Sequence, residues 1–276
     1  MSESKEDIQK VARTYNATAD AFDSPQLEAR DHFGCRTIDR LALARGARVL
    51  DVCCGTGSAS IPAAEAVGAH GFVEGIDIAD KLLDLARAKA THFGCVHVNF
   101  QCADMLALPF PEASFDAVIC VFGIFFVPDM PAAVRELMRF LRPGGKLAIT
   151  TWGPRVREPA NGAFWREILR IRPELYRKFD PWERINSIES LRQMLREGGI
   201  EKPEIILENH LQTLASPEDW WTVALGAGYR ATIDQLTPDE AQAVHTANCA
   251  FLRDRGITQI ETNALYAIAT KSNSGA

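Results

Sequence analysis

The stretch Val49-Leu50-Asp51-Val52-Cys53-Cys54-Gly55-Thr56-Gly57-Ser58-Ala59-Ser60 constrains the fold more than any other. An apolar run of strand length delivers the chain into a glycine turn, and small residues suited to a helix follow. A strand read over Ala47–Cys53, a helix over Ser58–Val67 with Ser58 placed to cap it, and a strand over Phe72–Ile76 make the first unit. The alternation continues with a helix over Asp80–Thr91, strands over Val96–Gln101 and Ala117–Val121, and a helix over Met130–Leu141. Arg142-Pro143-Gly144-Gly145 reads as a turn before a fifth strand over Lys146–Trp152. Strand and helix alternating at these lengths predict an α/β, Rossmann-like sheet, mostly parallel and sandwiched by helices.

The ends are less regular. A stripe at Ile8, Val11, Ala12 and Tyr15 predicts a helix near the N-terminus, and Gln26–Leu43 predicts another. Helices are expected over Ala160–Ile171, Ile188–Glu197, Pro217–Gly228 and Pro238–Arg255. Pro203–Leu211 and Thr262–Ala269 read as the last two of seven strands, and the final SNSGA reads as loose.

Chemistry concentrates at the strand ends. Gly55 and Gly57 permit close backbone approach, and the carboxylate of Asp51 suits a charged ammonium. Cys53 stands where a dinucleotide-type GxG turn has its first glycine, which argues against a pyrophosphate cradle. The second strand ends at Gly75-Ile76-Asp77, where a carboxylate accepts from both ribose hydroxyls in several nucleoside-binding folds.

These stretches together resemble the class I S-adenosylmethionine-dependent methyltransferases. The likeness is to their small-molecule branch, which includes ubiquinone-biosynthesis enzymes (methyltransferase type 11). VLDVCCGTG, GIDIADKLL, CADMLALPF, SFDAVICVFGIFFVPD and LRPGGKLAIT follow in the family order over residues 49–150, and YNATADAFD at 15–23 resembles a segment that closes over the cofactor. The resemblance implies S-adenosyl-L-methionine as cofactor and S-adenosyl-L-homocysteine as product. It puts Asp51, Cys53, Gly55 and Gly57 around the methionine portion, Asp77 on the ribose, and Ile78 and Met105 around adenine. Asp104 would take the adenine amino group, Val121 the methyl-donating end, and Tyr15 the upper side. At Cys53 the family usually has glycine or alanine, a small-residue exchange. The sulfonium makes the methyl electrophilic, so no metal is required.

The resulting division has an N-terminal helical cap at 1–45, a cofactor-binding core at 46–152, a cap connection at 153–187 and a core continuation at 188–215. A helical lid insertion at 216–256 and a final core strand at 257–271 complete it. Candidate acceptor walls are Phe122, Phe126, Trp152, Trp165, Tyr176, Phe179, Trp182, Trp220, Trp221 and Tyr229, since aromatic faces suit an aromatic or apolar acceptor. Packing of helices on a sheet uses the same residues. His32 and His210 are weak candidates for a general base, with a surface or capping role as the plainer reading. Arg155, Arg157 and Arg230 read as solvated surface, with recognition of an acidic group as the alternative.

Composition enters as a filter. A net charge of −6 offers no general attraction to nucleic acid or anionic lipid. The charged N-terminus has no signal-like apolar segment, and no run approaches the roughly 18 apolar residues of a membrane helix. Seven cysteines without a CxxC pair read as small buried hydrophobes in a cytoplasmic protein. The expectation is transfer of a methyl group to a small acceptor at O, N or C, by a monomer or homodimer. A noncatalytic S-adenosylmethionine-binding protein, other chemistry in the same pocket and a nicotinamide-dependent oxidoreductase stay open as alternatives.

Overall fold

The computed structural model describes residues 3–178 and 180–273, with side chains from residue 8 onward. Phe179 and the last three residues of the C-terminal tail lie outside the described residues.

Helix α1 (Glu3–Thr18) and helix α2 (Ala29–Leu41), with a short 3₁₀ turn at Pro25–Leu27 between them, precede the first strand, β1 (Arg48–Val52). Then come α3 (Ser60–Val67), β2 (Phe72–Asp77), α4 (Asp80–His92), β3 (Val98–Cys102), β4 (Phe115–Val121), α5 (Met130–Phe140) and β5 (Leu141–Trp152). The second half holds α6 (Ala160–Ile171), α7 (Ile188–Glu197), β6 (Glu204–Glu208), β7 (Leu211–Thr213), α8 (Asp219–Leu225), α9 (Arg230–Ile233), α10 (Pro238–Asp254), β8 (Gln259–Glu261) and β9 (Ala264–Thr270).

Seven strands form one sheet in the order β3-β2-β1-β4-β5-β9-β6. The pairs from β3 across to β5 are parallel, and β9 runs antiparallel between β5 and β6. The connections from β1 to β2 and from β3 to β4 lead to opposite sides, so a crevice opens where β1 and β4 part at their C-terminal ends.

Alternation along the strands builds a core on each face. Leu50, Val52, Val118, Cys120, Leu147 and Ile149 pack with α5 and α7. Val49, Val73, Ala117, Ile119 and Ala148 pack with α2, α3 and α4. A third cluster stands apart, made by Trp165, Trp220, Tyr229, Val244 and their neighbours from α6, α8, α9 and α10.

Several boundaries depart from the sequence reading. Ser58 makes no cap: Ala59 precedes the first turn of α3 with no side-chain bond. The expected turn at 142–145 is absorbed into β5, because Leu141 pairs with Phe115 and Lys146 with Ala117 while the residues between bulge out. Gly144 donates to Lys271 O at 2.9 Å and Lys271 donates to Gly145 O at 2.8 Å, which ties that bulge to the end of β9. The strand expected over 203–211 stops at Glu208, and Leu211–Thr213 leaves the main sheet to pair with β8. Cys35 and Cys102 are exposed rather than buried. Among the described residues no helix is long and apolar enough to cross a membrane.

Candidate active site

The crevice at the strand ends is a cavity of about 1200 Å³, mouth included. Its floor comes from the segments that follow β1, β2, β3 and β4, and Trp152 closes it at the end of β5. Ile8, Val11 and Tyr15 of α1, with Phe22 and Arg30, form the opposite side.

Gly55 and Gly57 turn the chain at φ +53° and +84°, a backbone that side chains with a Cβ rarely adopt. The turn presents the Gly55 N–H to Asp77 Oδ2 at 2.8 Å, while Ala79 N–H donates to Asp77 Oδ1 at 2.9 Å. The carboxylate is therefore fixed in orientation at the cavity wall, and burial raises its pKa. Beneath the turn, Asp51 is 1% exposed and does not reach the wall. Ser60 Oγ donates to its Oδ2 at 2.6 Å, Oδ1 has no hydrogen-bond partner, and burial pushes the pKa up to about 7. Thr56 Oγ1 and Lys89 Nζ both donate to Asp23, at 2.7 and 2.8 Å, tying the N-terminal segment to the glycine turn and α4.

Ile78, Asp104, Met105 and Val121 meet at this wall beside Cys53 and Gly55. Asp104 Oδ1 accepts from Leu106 N–H at 2.9 Å, and the Cys53 thiol approaches Met105 Sδ at 3.6 Å. Gly57 lies off the wall, its missing side chain facing Ile61, Phe100 and Ala86. Tyr15 packs edge-on to Phe126 at 5.4 Å, and burial holds its phenol above the usual range, so it keeps its proton near neutrality.

Across Val121 the cavity becomes aromatic. Phe122 and Trp152 stack at 3.8 Å and 14°, backed by Phe33 set edge-on to both rings. Phe125, Phe126 and Trp182 continue the wall, with Trp182 6.0 Å from Phe125.

The other expected acceptor contacts are elsewhere. Trp165, Trp220 and Tyr229 are buried in the third hydrophobic cluster, Trp221 packs against it, and Tyr176 is 36% exposed; none lines the cavity. Their polar tips are spent internally: Trp220 Nε1 donates to Asn248 Oδ1 at 2.8 Å and Tyr229 OH to Asn161 Oδ1 at 2.7 Å. Helices α6, α8, α9 and α10 pack around a shared core away from the sheet, and that core consumes these rings. From residues 216–256 only Ala227 and Gly228 reach the cavity.

His32 and His210 also lie away from it. They stack on each other at 4.8 Å; His32 Nε2 bonds Glu208 at 2.7 Å and His210 Nδ1 bonds Thr262 Oγ1 at 2.6 Å. Arg155 pairs with Glu261 and Arg230 with Asp20 and Asp234, as surface cations do. Arg157 breaks that reading, being 4% exposed at the cavity wall. Arg30 and Phe22 are wall residues that sequence reasoning did not name individually, whereas Phe125 falls in the stretch Phe122–Val127 expected as a wall. Phe125 sat inside a matched stretch, whereas Arg30 carried no local signal.

A sequence profile of the ubiE/COQ5 methyltransferase family matches residues 3–175. The demethylmenaquinone methyltransferase of Listeria monocytogenes is 33% identical over 185 residues, covering 64% of this chain and 77% of that protein. Among solved structures, the YcgJ protein of Bacillus subtilis superposes with a TM-score of 0.59 at 19% identity, covering 88% of this chain and all of that one. A SAM-dependent methyltransferase from Aquifex aeolicus gives 0.54 at 21% identity, covering 69% of this chain and 91% of that one. At these identities the two structures speak to the fold alone.

Proposed function

This chain belongs to the ubiE/COQ5 methyltransferase family, and from that premise we propose that it methylates a small aromatic acceptor of the hydroxylated-ring or quinol type. S-adenosylmethionine is its methyl donor. The observation that carries the acceptor class is a single cavity in which the Asp77 end passes, across Val121, into the stacked Phe122–Trp152 wall. The name of the Listeria relative points to the same kind of ring.

The residues present fit the donor. Asp77, held by two backbone N–H groups, has lone pairs left for the ribose hydroxyls. Asp51 lies behind the glycine turn and off the cavity wall, so in our assignment it favours an ammonium at the turn by charge, without contacting it. In our assignment Ile78 and Met105 hold the adenine, Asp104 takes its amino group, and Cys53, Gly55 and Gly57 form the turn around the methionine portion. Val121 flanks the reacting end and Tyr15 of α1 covers it. Bound there, the donor supplies a methyl group made electrophilic by its sulfonium. The chain contributes alignment: a rigid aromatic wall that holds a ring in line, at about 3–3.5 Å for attack. The cover is assigned to residues 1–45 more than to the helices of 216–256, since α1, Phe22 and Arg30 make most of it.

The lining carries no imidazole. That favours a ring carbon made nucleophilic by its own hydroxyls over an oxygen that a base must first deprotonate. Methyl-labelled S-adenosylmethionine offered with hydroquinones, phenols, amines and thiols tests this. Label on a ring carbon, located by product fragmentation, is the expected result. Tight donor binding with no transfer to any aromatic acceptor overturns the reading.

A further inference from the structure

Two cations at the aromatic end of the cavity, Arg157 buried and Arg30 half-buried, form no ion pair among the described residues. Arg157 lies with its guanidinium 5.2 Å from the Trp152 ring and 5.5 Å from Tyr229. Arg30 sits 4.0 Å over Phe22 and donates to the carbonyls of Phe22 and Gly226, at 3.4 and 2.8 Å. The two repel: burial and then the charge of Arg157 push the pKa of Arg30 down to about 10, so Arg30 keeps its charge at neutral pH.

None of the nearby described carboxylates bonds to either guanidinium, although Asp23 and Asp31 act on Arg30 through space. Asp23 is bonded to Thr56 and Lys89, and Asp31 is exposed on α2. Glu158 accepts from Asn161 and Gly162 at the start of α6, and Asp180 caps the turn at 181–185. Asp180 feels Arg157 and Arg177, yet burial still raises its pKa to about 6. Asp77 and Asp104, the carboxylates of the cavity lining, accept backbone N–H groups at the other end. The donor does not redress the balance, because it brings one carboxylate against an ammonium and a sulfonium. A guanidinium kept buried and unpaired is costly, and sites that bind a charged partner are where such a cost persists.

We infer that Arg157, with Arg30 beside it, recognises a carboxylate carried by the methyl acceptor, an inference that rests on the aromatic-acceptor reading. The guanidinium fork matches a carboxylate through two parallel N–H···O bonds, which a lysine cannot reproduce. The Phe122–Trp152 stack beside it gives the ring that bears the acid an aromatic wall to pack on, so charge and packing fix one orientation.

The test titrates the protein, saturated with S-adenosylhomocysteine, with 4-hydroxybenzoate and with 4-hydroxybenzamide, the same ring without the charge. Calorimetry should show the acid binding at least about tenfold more tightly. Arg157→Gln should erase that preference while leaving S-adenosylhomocysteine affinity within about twofold, and Arg157→Lys should keep part of it. Melting curves verify that each variant is folded; should Arg157→Gln not fold, the Lys variant carries the comparison. Equal affinity for acid and amide, a preference unchanged in the variants, or no binding of either compound overturns the inference. Methyl transfer separates the two readings. Transfer to neutral phenols without preference for acids removes the carboxylate site alone, whereas acid-selective binding without transfer to any ring removes the aromatic-acceptor reading.

Discussion

Asp51 and Asp77 stand 26 residues apart, the first buried and the second half-buried, and they differ in what holds them. Asp77 has two backbone N–H partners that fix its orientation, and ribose is the partner we propose for it. Asp77→Ala should weaken S-adenosylmethionine binding by about 10- to 100-fold, the worth of one or two charged hydrogen bonds. Calorimetry reads the affinity and circular dichroism the fold; unchanged affinity removes the ribose role. Asp51 has a single hydroxyl partner and a pKa raised from 3.8 to about 7. Between those values the unfolded chain has released this proton while the folded chain keeps it. The Asp51 contribution to stability is therefore intact at acid pH and is lost as pH rises from about 4 to 7, by a ceiling of about 4 kcal/mol. Asp51→Asn should flatten this dependence, gaining on the wild type more at pH 8 than at pH 5 in paired thermal melts. Both carboxylates were legible in the sequence, because an acid at the end of an apolar strand has few other reasons to be there. Arg30 and Arg157 were not, since a cation shows its burial only once distant segments fold over it. For the histidines residue type suggested chemistry only as the lesser reading, and their bonds to Glu208 and Thr262 hold them away from the cavity.

Elements of the first half were readable because hydrophobic period, glycine turns and short connections agreed from β1 to β5. What failed were local stops that tertiary pairing overrode, as at the bulge in β5, where proline and two glycines interrupt a strand without ending it. Equally invisible was the crossing of α2 over the start of α3. A Cβ on Gly34 would lie 2.1 Å from the carbonyl oxygen of Ser58, backbone that cannot move aside without shifting the cofactor turn. Gly34→Ala should destabilise by about 2–4 kcal/mol and weaken donor binding with it, despite raising helix propensity. Urea unfolding measures the first effect and calorimetry the second. A variant as stable as the parent would mean that the helices do not cross so closely.

At the scale of the whole molecule, a ligand gripped by α1, the glycine turn and three strand ends should fasten together parts that are far apart in sequence. S-adenosylhomocysteine at about 100 times its Kd should add about 2.7 kcal/mol to stability, equivalent to roughly 5 °C in Tm. No shift at saturation would contradict a pocket shared by so many segments. The seven-stranded layout was recognisable from alternation alone, whereas the third hydrophobic cluster was not, because a buried aromatic and a ligand-facing one have the same sequence signature. That cluster has its own consequence. Helices α6, α8, α9 and α10 share one core with Leu27, Leu214 and Ile260, and satisfy the polar tips of Trp220 and Tyr229 within it. Because that block lends the cavity only Ala227 and Gly228, redrawing its outer loops should leave the choice of acceptor where it is.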